Sequence, residues 1–217
     1  RNRKTVICPN SHWMVEILNK HFGDVARVAY LPFGIDEEWY RIRRIPGTPS
    51  RWLCVTRVTE EKIGNLFDWG KSVFDQSDAE LHLIGPNQSN LKIPDWVHYH
   101  GSMSPRELKD NWFPSSTGLI TLSRHSEGRP QVMMEAMASA MPVIASDLAA
   151  HIDFVEHKQT GWICSNQQSL TDAVHFFSKE YNNRTIGDNA RKSIETNSGT
   201  WSTYGSRLTD IYRSLLS

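Results

Sequence analysis

Two glutamates in the stretch SEGRPQVMMEAM are spaced so that both can reach one ligand. Pro130 suits the first turn of a helix because its missing N–H would have no partner there, so we expect the helix to begin near Gly128–Pro130. Glu127 then lies in the loop before the helix. Glu135 lies inside it, about 7 to 8 Å further along at 1.5 Å per residue. One carboxylate therefore stands on each side of a helix start.

A helix start with a glycine beside it is typical of a phosphate site. Its unpaired backbone N–H groups and the positive end of the helix dipole attract an anion, and Gly128 lets a ligand approach the backbone closely. Arg57 and Lys62 follow a neighbouring strand pattern and supply cations, arginine as a planar fork and lysine as a point charge. Glu135 is then placed to accept hydrogen bonds from a sugar diol, and Glu127 faces whatever the other phosphate carries.

Each of these residues also has an ordinary interpretation. A single helical glutamate such as Glu135 is most often solvated. Glu127 before a glycine fits a simple turn, and Arg57 fits a surface ion pair that contributes little to stability. Together they gain weight, because they follow strands whose carboxyl ends meet at one edge of a parallel sheet, as do the turns Gly85-Pro86 and Gly101-Ser102. We therefore favour a ligand site at that edge.

Apolar runs of strand length alternate with helical periodicity along the chain. The predicted strands are Thr5–Cys8, Val25–Leu31, Trp52–Thr56, Leu81–Ile84, Val97–His100, Gly118–Leu122, Pro142–Ala145 and Gly161–Cys164. The predicted helices are Ser11–Phe22, Asn65–Phe74, Pro105–Trp112, Pro130–Ala140, Ser169–Tyr181, Thr185–Asn197 and Thr200–Leu216. This alternation predicts an α/β fold: one Rossmann-like domain over residues 1–217, with a mostly parallel sheet, helices on both faces and a helical C-terminal tail.

The bulk composition limits the class of protein. The 217 residues carry 24 basic and 24 acidic side chains, which argues against a nucleic-acid binder or a polybasic membrane-surface protein. The three cysteines are odd in number and far apart, so we expect no disulfide framework and a reducing cytoplasm. The apolar runs are too short for a bilayer span, and RNRK at the start is not followed by the apolar core of a signal peptide. Because the chain starts at Arg1, we expect a piece of a longer protein.

The sequence offers no motif that binds a metal. It contains no D-x-D and no H-E-x-x-H. Its H-x-H pair, His98 and His100, lies on a predicted strand without a third ligand nearby in sequence, and such a pair is more often structural than ligating. We therefore predict no metal site.

The segment SEGRPQVMMEAMASAMPVIASDLAAHIDFVEHKQTGWIC closely resembles the signature region of the retaining GT-B glycosyltransferases of family four, whose mark is Glu, seven residues, Glu. The likeness extends over nearly the whole chain. VICPNSHWMVEILNKHFG resembles the segment that opens the family's C-terminal domain, LCVTRVTEEKIGN its strand and phosphate loop, and LHLIGP, VHYHGSMSPRELKDNW and STGLITLSRHSEG its following units. The resemblance implies the nucleotide-sugar binding half of a GT-B fold, with the N-terminal, acceptor-binding half absent.

The resemblance also implies a role for each residue of the motif. Glu127 matches the glutamate beside the transferred sugar, and Glu135 matches the one that holds the ribose hydroxyls. Arg57 and Lys62 match the cationic pair that neutralises the leaving diphosphate. The other predicted donor-binding residues are Gly128, Arg129, Pro130 and Gln131 for the pyrophosphate, Ser102 and Met103 for the nucleobase, and the turn residue Gly85. In this stretch the backbone, rather than the Arg129 side chain, is expected to touch the phosphates.

Three positions depart from the family pattern. Phe33 stands where family members often have Asn before a glycine. Ile63 separates the lysine of the phosphate loop from Gly64, an insertion that shifts this loop by one residue. Ala149-Ala150 replaces a Gly-Gly pair, with Asp153 at the acidic position, and this weakens the expectation of a sugar contact through that loop.

The matches imply the donor domain of a cytoplasmic, metal-independent, retaining glycosyltransferase that uses UDP- or GDP-sugars in cell-surface polysaccharide or glycoconjugate assembly. No cofactor is expected beyond this nucleotide-diphospho-sugar substrate. The acceptor, a glycan, lipid or protein, would bind mainly to the missing half, which is also the part able to dock at the inner face of a membrane. Two alternatives stay open: a non-catalytic nucleotide-sugar binding or interaction module of the same fold, and a GT-B epimerase, which would form product without an acceptor.

Overall fold

A computed structural model describes residues 5–75 and 77–216. Its strands are β1 (Val6–Ile7), β2 (Arg27–Val28), β3 (Ser50–Val55), β4 (Ala79–Ile84), β5 (Val97–Tyr99), β6 (Gly118–Thr121), β7 (Val143–Ser146) and β8 (Trp162–Cys164). Its helices are α1 (His12–Phe22), α2 (Glu37–Arg41), α3 (Glu60–Ile63), α4 (Leu66–Phe74), α5 (Pro105–Glu107), α6 (Gln131–Ala138), α7 (Ala149–Ile152), α8 (Gln167–Ser178), α9 (Glu180–Asn197) and α10 (Trp201–Leu216). After α5 the chain continues as a π-helical turn, Leu108–Trp112, and a 3-10 turn, Phe113–Ser115.

Six strands form one parallel sheet in the order β5-β4-β3-β6-β7-β8. Parallel neighbours need crossover connections, and the helices in these connections cover both faces of the sheet. The central strands are therefore continuous apolar runs rather than alternating ones, and Trp52, Leu53 and Cys54 of β3 are all buried. The predicted α/β class and mostly parallel sheet are confirmed.

Two hydrophobic clusters lie against the sheet, one on each face. Successive residues of a strand point to opposite faces, so Leu53 packs in the cluster that contains α2, α6 and α9, whereas Trp52 packs in the cluster that contains α4 and α8. The methionine-rich stripe of α6 supplies Met133 and Met137 to the first cluster, and both are fully buried. This packing fixes α6 immediately after the carboxyl end of β6.

Each predicted strand and helix has a counterpart within a few residues of the expected bounds, with three differences of arrangement. Among the described strands, β1 and β2 pair only with each other, in a separate two-stranded sheet. Helices α2, α3 and α7 were not predicted, because four or five residues are too few to show a helical period. Finally, α6 begins at Gln131, with Pro130 as its N-cap rather than in its first turn.

The C-terminal tail is helical, as predicted, but its last helix, α10, has no buried residue. The cysteines are free: Cys8 is exposed, whereas Cys54 and Cys164 are buried. Within residues 5–75 and 77–216, none of the helices combines the length and the apolar character that crossing a bilayer demands.

Candidate functional site

Lys62 and Glu127 form an ion pair at the carboxyl edge of the sheet, between Lys62 Nζ and Glu127 Oε1. Only 14% of each side chain is exposed. Lys62 lies in α3, where its backbone N–H donates to the capping Thr59 Oγ1 at 3.3 Å. Glu127 lies in the loop between β6 and α6. The fold therefore brings together two predicted site residues that are 65 positions apart in sequence.

The loop after β3 packs closely on the end of β6. Gly64 has φ +56°, and a Cβ there would meet the Leu122 carbonyl oxygen at 2.0 Å, so only glycine fits. Ile63, the residue inserted before this glycine, is 3% exposed and packs in the core. The Ile63 side chain is thus buried in the core, and the ion pair of the neighbouring Lys62 with Glu127 is kept.

The start of α6 presents backbone N–H groups that no side chain of the described residues caps. Gln131, the first helical residue, is exposed. A Cβ placed on Gly128 would meet only Met14 Sδ at 3.4 Å and Asn10 Oδ1 at 3.6 Å, which are ordinary contacts. Packing among the described residues therefore does not require a glycine at this position.

The Arg129 guanidinium binds protein groups. Nη2 donates to the Phe33 carbonyl oxygen at 2.8 Å and to Ser198 Oγ at 2.9 Å, and Nη1 donates to the Asn10 carbonyl oxygen at 3.3 Å. The guanidinium carbon also lies 5.1 Å from the centre of the Phe154 ring. The side chain thus ties the site loop to the N-terminal segment and to the connection between α9 and α10.

Glu135 lies in the second turn of α6, half-buried, and shares its surroundings with a lysine that sequence reasoning missed. Burial raises the pKa of its carboxyl to about 7, against the opposing effects of a hydrogen bond with Gln131 and the charge of Lys109. Lys109 Nζ also pairs with Glu38 and lies 3.8 Å from Asp36 Oδ2. A carboxyl whose pKa is held near neutrality is typical of a functional site.

The turns after β4 and β5 lie together. The Gly85 N–H donates to the Gly101 carbonyl oxygen at 2.7 Å. Gly85 has φ +141°, and a Cβ there would meet the Thr56 carbonyl oxygen at 1.8 Å, so this turn also packs on the end of β3. Ser102 is exposed and Met103 is partly buried against the core. The ends of β3, β4 and β5 are thereby joined through their turns.

Arg57 follows β3 and is exposed. Among the residues that the structure describes, its side chain has no hydrogen bond or ion pair, with Lys62 and Glu127 or with any other residue. None of its five N–H donors is therefore used by a described residue.

His151 is a neighbour of the ion pair that sequence reasoning missed. It is fully buried; its Nδ1 lies 3.0 Å from Ser146 Oγ, while its Nε2 has no hydrogen-bond partner among the described residues. Burial lowers the pKa of His151, and the charge of Glu127 opposes this shift. The sequence could have indicated His151 by its position alone, because it follows the predicted strand β7, whose carboxyl end lies at the same edge of the sheet. In the same loop, Asp153 Oδ2 accepts from the His12 N–H at 2.7 Å and so binds the start of α1.

Comparison with known families settles the class of the chain. The profile of the family described as Glycosyl transferases group 1 matches residues 50–179, a range that contains Arg57, Lys62, Glu127 and Glu135. The chain belongs to this glycosyltransferase family.

Two curated bacterial proteins are similar to this glycosyltransferase over part of its length. An uncharacterized glycosyltransferase of Haemophilus influenzae is 28% identical over 108 residues, which are 49% of this chain and 29% of the relative. The amylovoran biosynthesis glycosyltransferase AmsD of Erwinia amylovora is 31% identical over 105 residues, 45% of this chain and 29% of the relative. The chain thus matches less than a third of the length of either relative.

Solved structures share the fold of this glycosyltransferase over almost its full length. A glycosyltransferase from Rickettsia africae superposes with a TM-score of 0.83 at 15% identity, covering 99% of this chain and 64% of that one. Anabaena HepE, solved in complex with UDP-glucose, superposes with a TM-score of 0.77 at 15% identity, covering 96% of this chain and 64% of that one. At 15% sequence identity these superpositions show a shared fold, and that fold corresponds to one part of the GT-B fold of glycosyltransferases.

Proposed function

We propose that this chain is the donor-binding domain of a retaining, metal-independent glycosyltransferase whose substrate is a nucleoside-diphosphate sugar. The observation that carries the proposal is the Lys62–Glu127 ion pair, together with the uncapped start of α6 and the half-buried Glu135 within that helix. An anion site flanked by two carboxylates suits a ligand whose diphosphate lies between two polyhydroxylated groups, the ribose and the transferred sugar.

The diphosphate binds the backbone N–H groups of Gly128, Arg129 and Gln131, on either side of Pro130, with Arg57 and Lys62 as its cations. Arg57 supports this role because it is exposed and has no protein partner among the described residues. Gly128 supports it because protein packing does not require a glycine there, whereas close approach of a phosphate does. Donors fixed in these places stabilise the negative charge that develops as the diphosphate departs.

Glu135 accepts hydrogen bonds from the ribose hydroxyls, while Gly85, Ser102 and Met103 lie beside the nucleobase. Glu127 faces the transferred sugar, where a carboxylate stabilises the positive charge that develops on the sugar. In the transfer step the bond between the anomeric carbon and the phosphate oxygen breaks, and its electron pair leaves with the diphosphate. The acceptor oxygen bonds to the anomeric carbon on the same face, and the acceptor hydroxyl proton passes to the departing phosphate.

The acceptor, a glycan, lipid or protein, binds mainly to a separate N-terminal half. The whole protein is cytoplasmic, and that N-terminal half docks at the inner face of the membrane. UDP-sugars are the first donors to test, since HepE was solved with UDP-glucose. A role in cell-surface polysaccharide assembly is supported by the similarity to AmsD, named for amylovoran biosynthesis.

Calorimetric titration of the chain with UDP, GDP and ADP tests the proposal. We expect saturable binding of UDP or GDP, weakened about tenfold, or about 1.4 kcal/mol, by Glu135→Gln. Glu16→Gln, which changes an exposed glutamate of α1, is the matched control and should bind as the unaltered chain does. If the chain is folded by circular dichroism and binds none of the three nucleotides, the proposal is wrong.

A further inference from the structure

Three histidines and a glutamate lie side by side on the edge of the sheet, outside the site described above. Strands β4 and β5 are parallel, and their register places His82 opposite His98. The rings of these two residues are stacked with centroids 4.8 Å apart, and His100 lies 5.2 Å from His82 by the same measure. Glu80, two residues before His82 on the same strand face, completes the group. One possible ligand atom from each of Glu80, His82 and His98 lies within 4.8 Å of the other two.

The hydrogen bonds of His82 divide its two ring nitrogens between different partners. Nε2 lies 3.0 Å from Glu80 Oε2, and Nδ1 lies 2.9 Å from His100 Nε2. Trp112 packs against both rings, at 5.4 Å from His82 and 4.5 Å from His100 between centroids, and holds them in place. A histidine that binds a metal through one nitrogen ordinarily uses the other in a hydrogen bond that fixes its tautomer. His82 is arranged in this way.

We propose that Glu80, His82 and His98 form a binding site for a divalent transition metal of the zinc type. His82 ligates through Nε2 and donates its Nδ1–H to His100 Nε2. Without metal, the proton sits on Nε2 and is donated to Glu80, and His100 Nε2–H donates to Nδ1. Metal binding therefore releases the His82 Nε2 proton to solvent, the His100 Nε2 proton passes to His82 Nδ1, and His100 takes up a proton from solvent on its own Nδ1.

The donor set decides the class of metal. Two imidazoles and one carboxylate suit Zn²⁺, Co²⁺ or Ni²⁺, whereas Mg²⁺ and Ca²⁺ prefer oxygen ligands throughout. Ligands about 2.1 Å from a tetrahedral zinc lie about 3.4 Å apart. His98 is exposed, so its side chain can rotate to close the present spacing. The fourth position is left to water.

The position of the proposed metal site between β4 and β5 indicates that the metal stabilises the sheet edge. β5 is a three-residue edge strand that pairs with β4 alone. A metal held by Glu80 and His82 from β4 and by His98 from β5 cross-links this strand to its neighbour. Binding to the folded chain alone raises the unfolding temperature.

The test uses the full chain without a histidine tag, freed of metal with EDTA. We expect calorimetry to show one equivalent of Zn²⁺ bound, a higher unfolding temperature, and no response to Mg²⁺. His98→Ala and Glu80→Gln change partly or fully accessible side chains, and each should weaken Zn²⁺ binding at least tenfold. His175→Ala removes an exposed histidine of α8 and should leave the affinity unchanged, which separates the site from weak binding by the other histidines.

Nitrogen-15 spectra of the imidazoles supply a second reading that does not depend on variants. Zn²⁺ should shift the His82 Nε2 resonance to that of a metal-bound nitrogen and move the ring proton from Nε2 to Nδ1. Absence of saturable Zn²⁺ binding overturns the proposal. Equal affinity in His98→Ala and the unaltered chain, or an unchanged His82 tautomer on zinc addition, overturns it as well.

Discussion

At the scale of single residues, Glu135 links the proposed site to the stability of the chain. Its pKa is about 7 in the folded protein, against an ordinary value of 4.5. A folded-state pKa that is raised for a carboxyl means that the folded chain holds the proton more tightly than the unfolded chain does. The free energy of unfolding therefore has its full contribution from the protonated carboxyl below pH 4.5. This contribution is lost as the pH rises to about 7.

Replacing Glu135 with Gln should remove this loss. We expect Glu135→Gln and the unaltered chain to have similar free energies of unfolding at pH 4.5, and the variant to be more stable at pH 8 by about 2 to 3 kcal/mol, at 1.4 kcal/mol per unit of pKa. Urea unfolding across this pH range measures the difference. The buried histidines are present in both proteins, so their effect on the free energy of unfolding cancels in the difference between the two. A stability difference that does not vary with pH would refute the proposed burial effect.

The same carboxyl should couple nucleotide-sugar binding to pH. Ribose hydroxyls donate to the ionised form, so binding favours release of the Glu135 proton. We expect the affinity for UDP-glucose to rise several-fold between pH 6 and pH 8, and the rise to be absent in Glu135→Gln. UDP-glucose serves here because its diphosphate, esterified at both ends, has no proton to lose in this range. A parallel rise in both proteins would assign the effect to another group.

Lys62 and Glu127 should differ in their effect on a bound diphosphate although they are partners in one ion pair. Lys62→Met removes a cation from the phosphates and should weaken UDP binding by tenfold or more. Glu127→Gln removes a negative charge near the same phosphates and should leave UDP binding unchanged or stronger. Calorimetry on both variants and on the double variant separates the two effects. Equal weakening by both changes would mean that the pair acts only by holding the loop.

At the scale of elements, the sheet could be predicted from sequence because each strand is a short run of apolar residues bounded by turns. The helix that carries Glu135 could be predicted because its methionine stripe has a helical period. Contacts made by the tertiary fold could not. The stacking of His98 on His82 depends on the register of β4 and β5, and the hydrogen bonds of Arg129 join it to segments far away in sequence. Lys109 and His151 were missed, although both lie in stretches that resemble the family, because their contacts with Glu135 and Glu127 arise only in the folded chain.

Two helical glycines offer a matched test of how α6 is held in place. Gly187 of α9 lies against the turn that ends α6, where a Cβ would meet the Ala140 carbonyl oxygen at 2.1 Å. Gly205 of α10 has nothing within 4 Å of its Cβ position. Gly187→Ala should destabilise the chain by about 2 to 4 kcal/mol because the helices must separate. Gly205→Ala should stabilise it by about 0.5 to 1 kcal/mol through helix propensity.

Urea unfolding of both variants, with UDP affinity measured beside it, checks this prediction. Because α6 carries Glu135 and the proposed phosphate site, Gly187→Ala should also weaken UDP binding, whereas Gly205→Ala should not. If both substitutions change stability by the same amount, the contact between α9 and the end of α6 does not limit where α6 lies.

At the scale of the whole molecule, the chain matches 29% of each of the two curated relatives and 64% of each of the two solved chains compared above. The residues of the proposed donor site follow strands at the carboxyl edge of the sheet. Large apolar side chains also stay exposed on the outer helices: Phe22 of α1 is 46% exposed, and Trp201 and Tyr212 of α10 are 51% and 59% exposed. The described residues therefore form a packed core with the proposed donor site at one edge and apolar side chains exposed on its outer helices.

Donor binding and sugar transfer should consequently require different parts of the whole protein. We expect this chain alone to bind the nucleotide-sugar without passing the sugar to an acceptor, and a longer form that includes an acceptor-binding half to do both. In that longer form, Glu127→Ala should lower kcat by a hundredfold or more with little change in the donor KM, because the carboxylate acts on the charge that develops in transfer. Glu135→Ala should act mainly on KM, because the ribose contact exists before and during transfer. Nucleotide release in the presence of acceptor measures both constants; transfer by the short chain at the rate of the long one would show that the donor domain is sufficient.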